Sequence, residues 1–323
     1  MLAASPDSSR AALTEGLTAI NFTNIALGSL KENIFDRTLA AIEKQFVDQP
    51  LVKARLLETM ALTLKTLGLS DRALGPQTEA MEIRRRDLGP EHPDTLTSIS
   101  NMGVVLNELG RADEAETHYL EALASRRRVL GDEHPDSLTS LSNTAFLLLS
   151  QGKYAESEAM YRQAMDGRRH VLGNEHRETL MSVNGTGYAL VMQGKLAEGE
   201  PYWREAYETG KRVLGADDPD VLVWINNMGG LIGSQGRHQE AEPFYREAME
   251  TNRRVFGDEH PSTLLCIDNV AMCVQQQGRY PEAETLRQEC LETGRRVLGA
   301  DHPNTLGSAL GMAGLLRSQG RLS

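Results

Sequence analysis

The chain has 323 residues, 40% of them hydrophobic, and a formal net charge of -11. That balance argues against a binder of nucleic-acid phosphates, which needs clustered Lys and Arg, and equally against an anionic membrane surface. No apolar run reaches the ~18 residues of a membrane span, residues 1–10 lack the apolar core of a secretion signal, and the three cysteines are too few for a disulfide framework. The expected compartment is therefore the cytoplasm, and Cys266, Cys273 and Cys290 read as small buried apolar residues rather than metal ligands.

Residues 1–19 are rich in Ser, Ala and Thr with weak periodicity, and read as a frayed start, as in a piece cut from a longer chain. Residues 28–46 carry apolar side chains at 30, 34, 35, 39, 42 and 46, which is helical spacing. This helix does not match the pattern of the downstream sequence and is expected to cap it, so residues 1–49 form a flexible segment and a capping helix.

From Pro50 onward the chain repeats itself. Leu88-Gly-Pro-Glu-His-Pro-Asp-Thr95 returns as Leu130-Gly-Asp-Glu-His-Pro-Asp-Ser137, and variants begin at Leu172, Leu214, Phe256 and Leu298. Their glycines stand at 89, 131, 173, 215, 257 and 299, a constant step of 42 residues that signals a repeat architecture. Within one unit, Pro93 suits a first helical turn and Asp94 the positive end of the helix dipole. Apolar residues come next at 96, 99, 102, 105 and 106, and Gly110 stops the helix. A second helix from about Ala112 buries Ala115, Tyr119, Ala122 and Leu123, ends in Arg126-Arg127-Arg128 and breaks at Gly131. Each repeat is thus a helix hairpin. The arginine triplets are expected to be solvated helix ends, paired at most with nearby Glu.

The histidines of the repeated linker, His92, His134, His176, His260 and His302, stand beside acids and invite a metal or acid–base reading. Successive histidines lie one repeat apart, and hairpins stack ~10 Å from one another, far beyond the ~2.0 Å reach of several ligands on one zinc ion. One repeat also carries Asp218 instead. Capping and turn formation is the expected role. No nucleophile–base pair, carboxylate dyad, phosphate loop or metal-ligand spacing stands out, so neither catalysis nor a cofactor is expected.

The small and aromatic positions of these hairpins resemble a tetratricopeptide repeat (TPR) array. First helices pair Ile99 with Gly103, Leu141 with Ala145, Val183 with Gly187, Ile225 with Gly229 and Ile267 with Ala271. Second helices pair Ala115 with Ala122, Ser157 with Ala164, Gly199 with Ala206, Ala241 with Ala248 and Ala283 with Cys290. Tyr119, Tyr161, Trp203 and Tyr245 fill the aromatic slot, where Arg287 in the last unit suggests looser packing. The 42-residue unit with its Leu-Gly-x-x-His-Pro-Asp linker is similar to kinesin light chain repeats and their bacterial relatives. The segment from Leu30 to Leu69 also resembles the lead-in to TPR regions of bacterial multidomain signalling proteins, some with a Ser/Thr kinase domain, although no kinase motif is present. The resemblance implies an all-α, right-handed solenoid over residues 50–323, with about six hairpins and one final helix.

It also implies that the first helices line an inner groove. In that register Asn101, Asn143, Asn227 and Asn269 form a column, with Asn184 one place off beside Gly185 and Asn226 next to Asn227. Amide side chains carry donors and acceptors suited to an extended peptide backbone. Phe146, Leu149, Met181, Tyr188, Val191 and Met192 add an apolar stretch on a face open to solvent. The first helices between Asp94 and Val274 read as free of Lys and Arg, which disfavours a clamp for a terminal carboxylate. The expected function is a protein–protein scaffold that holds a neutral or basic peptide or partner domain by apolar anchors. The alternative is a regulatory arm of a larger signalling protein, and self-association through the exposed last helix is a further expectation.

Overall fold

The computed structural model describes residues 34–321, and the expectations for residues 1–33 lie outside it. The described residues form fourteen α-helices and no strand. The first is α1 (Asp36–Gln45), followed by α2 (Pro50–Thr66), α3 (Ser70–Asp87), α4 (Pro93–Glu108) and α5 (Ala112–Leu130). Then come α6 (Pro135–Ser150), α7 (Tyr154–Leu172), α8 (Arg177–Met192), α9 (Leu196–Val213) and α10 (Pro219–Ser234). The last four are α11 (His238–Phe256), α12 (Pro261–Gln276), α13 (Tyr280–Val297) and α14 (Pro303–Ser318). The chain divides after Val129 into two compact units.

The local chemistry of one hairpin explains the others. His134 sits in extended backbone, and its Nδ1 accepts the Asp136 N–H at 3.2 Å, which satisfies one orphan donor of α6. The same cap recurs at His92, His176, His260 and His302. Asp218 performs it with a carboxylate oxygen at 3.0 Å. Pro135 then opens the helix, where its missing N–H is harmless. Leu138, Leu141, Ala145 and Leu148 recur at three- and four-residue steps and are buried. Gly152 takes a φ of +77° and ends α6. Its N–H donates to Leu149 O, and that of Lys153 to Leu148 O, the paired bonds of a left-handed helix stop.

Helices within a hairpin approach closely through small residues. A Cβ added to Gly187 would lie 2.6 Å from the Trp203 ring, and one on Gly229 would lie 2.8 Å from that of Tyr245. In the first unit Gly103 receives Tyr119 in the same way, at 2.9 Å. Gly185 instead seats Tyr161 of the preceding hairpin, at 2.5 Å, so no asparagine side chain fits at that place in the column.

The arginine triplets are not simply solvated ends; their members have three different fates. The first arginine is buried: Arg84, Arg126 and Arg168 are 7%, 5% and 3% exposed. Arg84 donates to Ser98 Oγ at 2.6 Å and pairs with Glu58 at 2.8 Å. The second position bonds the next hairpin: Arg85 to Glu121, Arg169 to Glu205 and Lys211 to Glu247, each at 2.6 Å. The third reaches back to the preceding linker, as Arg212 does to Glu175 at 2.9 Å and Arg296 to Glu259 at 2.6 Å. The fates differ because three consecutive helical residues point ~100° apart. Each exposed pair is worth little by itself.

The last aromatic slot also departs from expectation. Arg287 is 5% exposed, donates to Asp268 Oδ1 at 2.8 Å and to Gln275 Oε1 at 3.2 Å, and so packs tightly rather than loosely. Gly311 makes room, since a Cβ there would collide with the guanidinium. Burial pushes the Asp268 carboxyl up, and the Arg287 charge opposes that shift.

Candidate interaction groove

In the second unit the first helices α6, α8, α10 and α12 present one side to solvent. Phe146 is 55% exposed, Met181 43%, Val223 54% and Leu265 50%, against 0–2% for the neighbouring Leu141, Val183, Ile225 and Ile267. Large apolar side chains at alternate turns of the same helices therefore separate into a core set and an open set. Phe146, Met181 and Val223 border a cavity of about 310 Å³, with Asn143 and Asn184 among its walls. Tyr188 and Met192 are exposed but lie outside that cavity, and the Tyr188 ring sits 5.9 Å from that of Trp203.

The asparagines are linked by a ladder that sequence alone does not reveal. Asn227 Nδ2 donates to Asn184 Oδ1 at 3.4 Å, and Asn269 Nδ2 donates to Asn226 Oδ1 at 2.8 Å. In the first unit Asn101 makes the equivalent bond to Glu58 Oε1 at 3.0 Å. Each donor stands 43 residues after its acceptor, one repeat plus one residue, so the ladder ties adjacent first helices. One amide hydrogen of Asn101, Asn227 and Asn269 is thus already committed. Asn226 lines a second cavity, of about 380 Å³, with Val223, Leu265 and Phe256. Asn143, Phe146, Met181 and Asn184 are brought together; Asn101 belongs to the first unit.

The expectation of a groove without basic side chains does not hold. Arg177 heads α8, where other repeats carry Pro, and pairs with Asp218 and Asp220. Arg168, from second helix α7, forms part of the cavity floor. Its guanidinium donates to Ser142 Oγ at 3.0 Å, Ser182 Oγ at 2.7 Å and Glu178 O at 3.1 Å, and pairs with the Glu178 carboxylate at 2.8 Å. Burial draws its pKa down, while Glu178 and Tyr161 pull it up. The acids Glu178 and Asp220 are therefore matched by cations rather than left as a bare negative field.

A signal for Arg168 does exist in the 42-residue register. Arg84, Arg126 and Arg168 are followed fourteen residues later by Ser98, Ser140 and Ser182. At the next step both change together, to Gly210 and Trp224. A Cβ on Gly210 would lie 2.4 Å from the Trp224 ring, so the indole fills the space left by the guanidinium.

The cysteines are free and buried, and burial pushes the Cys266 thiol up to about 11. Among the described residues no group of three or more His, Cys, Asp or Glu could hold a metal ion, and no helix is long and apolar enough to cross a membrane.

Comparison with known proteins agrees with this architecture. Two family models, both described as Tetratricopeptide repeat, match the chain, one over residues 96–170 and 263–323 and the other over 54–94, 179–220 and 221–262. Together they account for well over half of its length. No curated protein matches it. Among solved structures, BtubC (BKLC) from P. vanneervenii is 21% identical with a TM-score of 0.63, over 72% of this chain and 94% of that one. Repeats from Podosopora anserina, assigned as a kinesin light chain with nearly identical TPR-like units, are 20% identical with a TM-score of 0.55, over 65% and 99%. The apo form of RapI is 13% identical with a TM-score of 0.59, over 86% and 97%.

Proposed function

The chain belongs to the tetratricopeptide repeat family, and from that premise we propose that it is a non-catalytic protein–protein interaction scaffold. Repeat arrays of this kind serve as extended binding surfaces rather than reaction centres. In this reading residues 50–323 are the interaction array, and α1 covers its first hairpin. The second unit holds an extended segment of a partner against α6, α8 and α10. The observation that carries this reading is the open apolar set Phe146, Met181 and Val223 around one cavity, with Asn143 and Asn184 among them. Exposed apolar patches rimmed by polar groups mark interaction sites.

The partner segment is neutral or weakly basic and carries apolar anchors. Glu178 and Asp220 disfavour an acidic ligand, and their pairing with Arg168 and Arg177 removes the need for a strongly cationic one. The asparagine ladder supplies the remaining amide groups as backbone partners.

A displayed library of random dodecapeptides tests this. The chain should enrich peptides with apolar anchors. Phe146→Ser with Met181→Ser should weaken their capture at least tenfold without lowering Tm, because both side chains are already exposed. Capture that survives both substitutions removes the groove reading.

A further inference from the structure

Two glycines of α10 stand out from the others in the groove. The open column that reads Phe146, Tyr188 and Met272 has Gly230 between the last two. The neighbouring column of Leu149, Val191 and Gln275 has Gly233 at the same level. Gly187 and Gly229 are explained by rings that press against them. Gly230 and Gly233 are not: the nearest atom to an added Cβ is the Tyr245 hydroxyl, at 3.7 Å in both cases. Alanine would fit at either position, and glycine inside a helix costs about 1 kcal/mol relative to alanine. Helix stability is given up here for open space.

That space is a cavity of about 540 Å³. Met272 and Cys273 face it from α12, Ser234, His238 and Gln276 edge it, and Tyr245 lines it from α11. Tyr245 is 3% exposed, and among the described residues no hydrogen bond reaches its hydroxyl. Trp203, in the same slot one repeat earlier, donates its Nε1–H to Asn184 O at 3.0 Å. The Tyr245 hydroxyl opens onto this space, and a ligand group that bonds it there is favoured over an analogue that cannot.

We propose that this notch receives one tyrosine side chain of the bound segment, its ring against Tyr245 and Met272 and its hydroxyl paired with the Tyr245 hydroxyl. Tyr245 and Met272 give the notch apolar walls and it has room for a ring, and only a polar tip meets the hydroxyl; a phenylalanine would leave it unmatched. The inference rests on the groove reading above and names its anchor.

The direct test titrates the whole chain with N-acetyl-tyrosinamide and, separately, with N-acetyl-phenylalaninamide, read by NMR at the Gly230 and Gly233 amides and the Met272 methyl. The tyrosine amide should give saturable shifts at all three and bind at least threefold tighter than the phenylalanine amide. Gly230→Leu with Gly233→Leu should abolish the shifts while Tm holds or rises. Tyr245→Phe keeps the ring and should erase the threefold preference. Shifts that are absent, that survive the filled notch, or that show no preference overturn the proposal. The dodecapeptide selection separates the two readings. Peptides captured equally well by the filled variant sink the notch and leave the groove standing. If no peptide is captured the groove reading fails, and the amide titration still decides the notch.

Discussion

Replacing Arg168 by glycine and Ser182 by tryptophan transplants the next repeat's solution, Gly210 with Trp224, one step back along the chain. Arg168 is 3% exposed and bonds two serine hydroxyls, a carbonyl and a carboxylate. Hydrogen bonds to a charged group are worth about 1.5–3 kcal/mol each, but removing the guanidinium also relieves its desolvation. Glu178 has a side chain 41% exposed and can turn to water, so it is not stranded. Adding about 1 kcal/mol for glycine in a helix, Arg168→Gly should cost about 3–5 kcal/mol. Ser182→Trp alone places an indole against the guanidinium and should cost about 1–3 kcal/mol. Together they should return to within about 1.5 kcal/mol of the starting protein, a favourable coupling of at least ~2 kcal/mol. Urea unfolding followed by circular dichroism gives the totals, and hydrogen exchange at α7 and α8 shows whether the loss is local, as repeat arrays permit. Effects that add within ~0.5 kcal/mol would refute the claim that one column exchanges Arg–Ser for Gly–Trp.

Three further outcomes rest on the same geometry. His134→Ala should lose about 1 kcal/mol in urea unfolding, whereas His134→Asp should not, because Asp218 already caps α10 in that way. Cys266 should react with a thiol reagent only on unfolding, since burial holds its thiol at about 11 and well away from the thiolate. Acid should destabilise the chain: the Arg204 hydrogen bond, with those of Arg237 and Gln235, holds the Glu200 carboxyl below its ordinary value despite partial burial. A lowered folded-state pKa contributes stability above the unfolded value, which is lost as pH falls through the folded one. Stability should therefore drop as pH falls below about 4.5, with a shallower slope in Glu200→Gln.

The repeat, its hairpins and its helix boundaries were legible because they rest on local chemistry. A proline at N1, a side-chain cap two residues before the second helical N–H and a glycine at positive φ need no distant partner. The outward set Phe146, Met181 and Tyr188 was legible for a related reason, since the 42-residue register carries one helix face into the next. What stayed hidden depends on long side chains that cross between helices. Arg168 spans two neighbouring first helices, and Arg287 fills an aromatic slot because Gly311 of the next first helix leaves room for its guanidinium. The ladder from Asn227 to Asn184 runs 43 residues, not 42, so a single-column view misses it. For Arg168 the information was present as a paired change between columns, Arg with Ser against Gly with Trp, and not in any residue by itself.

Site-specific photocrosslinking tests the binding face most directly. A benzophenone side chain placed at Phe146, or at exposed Ala159 of second helix α7, is irradiated with dodecapeptides selected on the unmodified chain. The account predicts crosslinks from position 146 and none from 159. Crosslinks confined to 159, or equal at both, would contradict it.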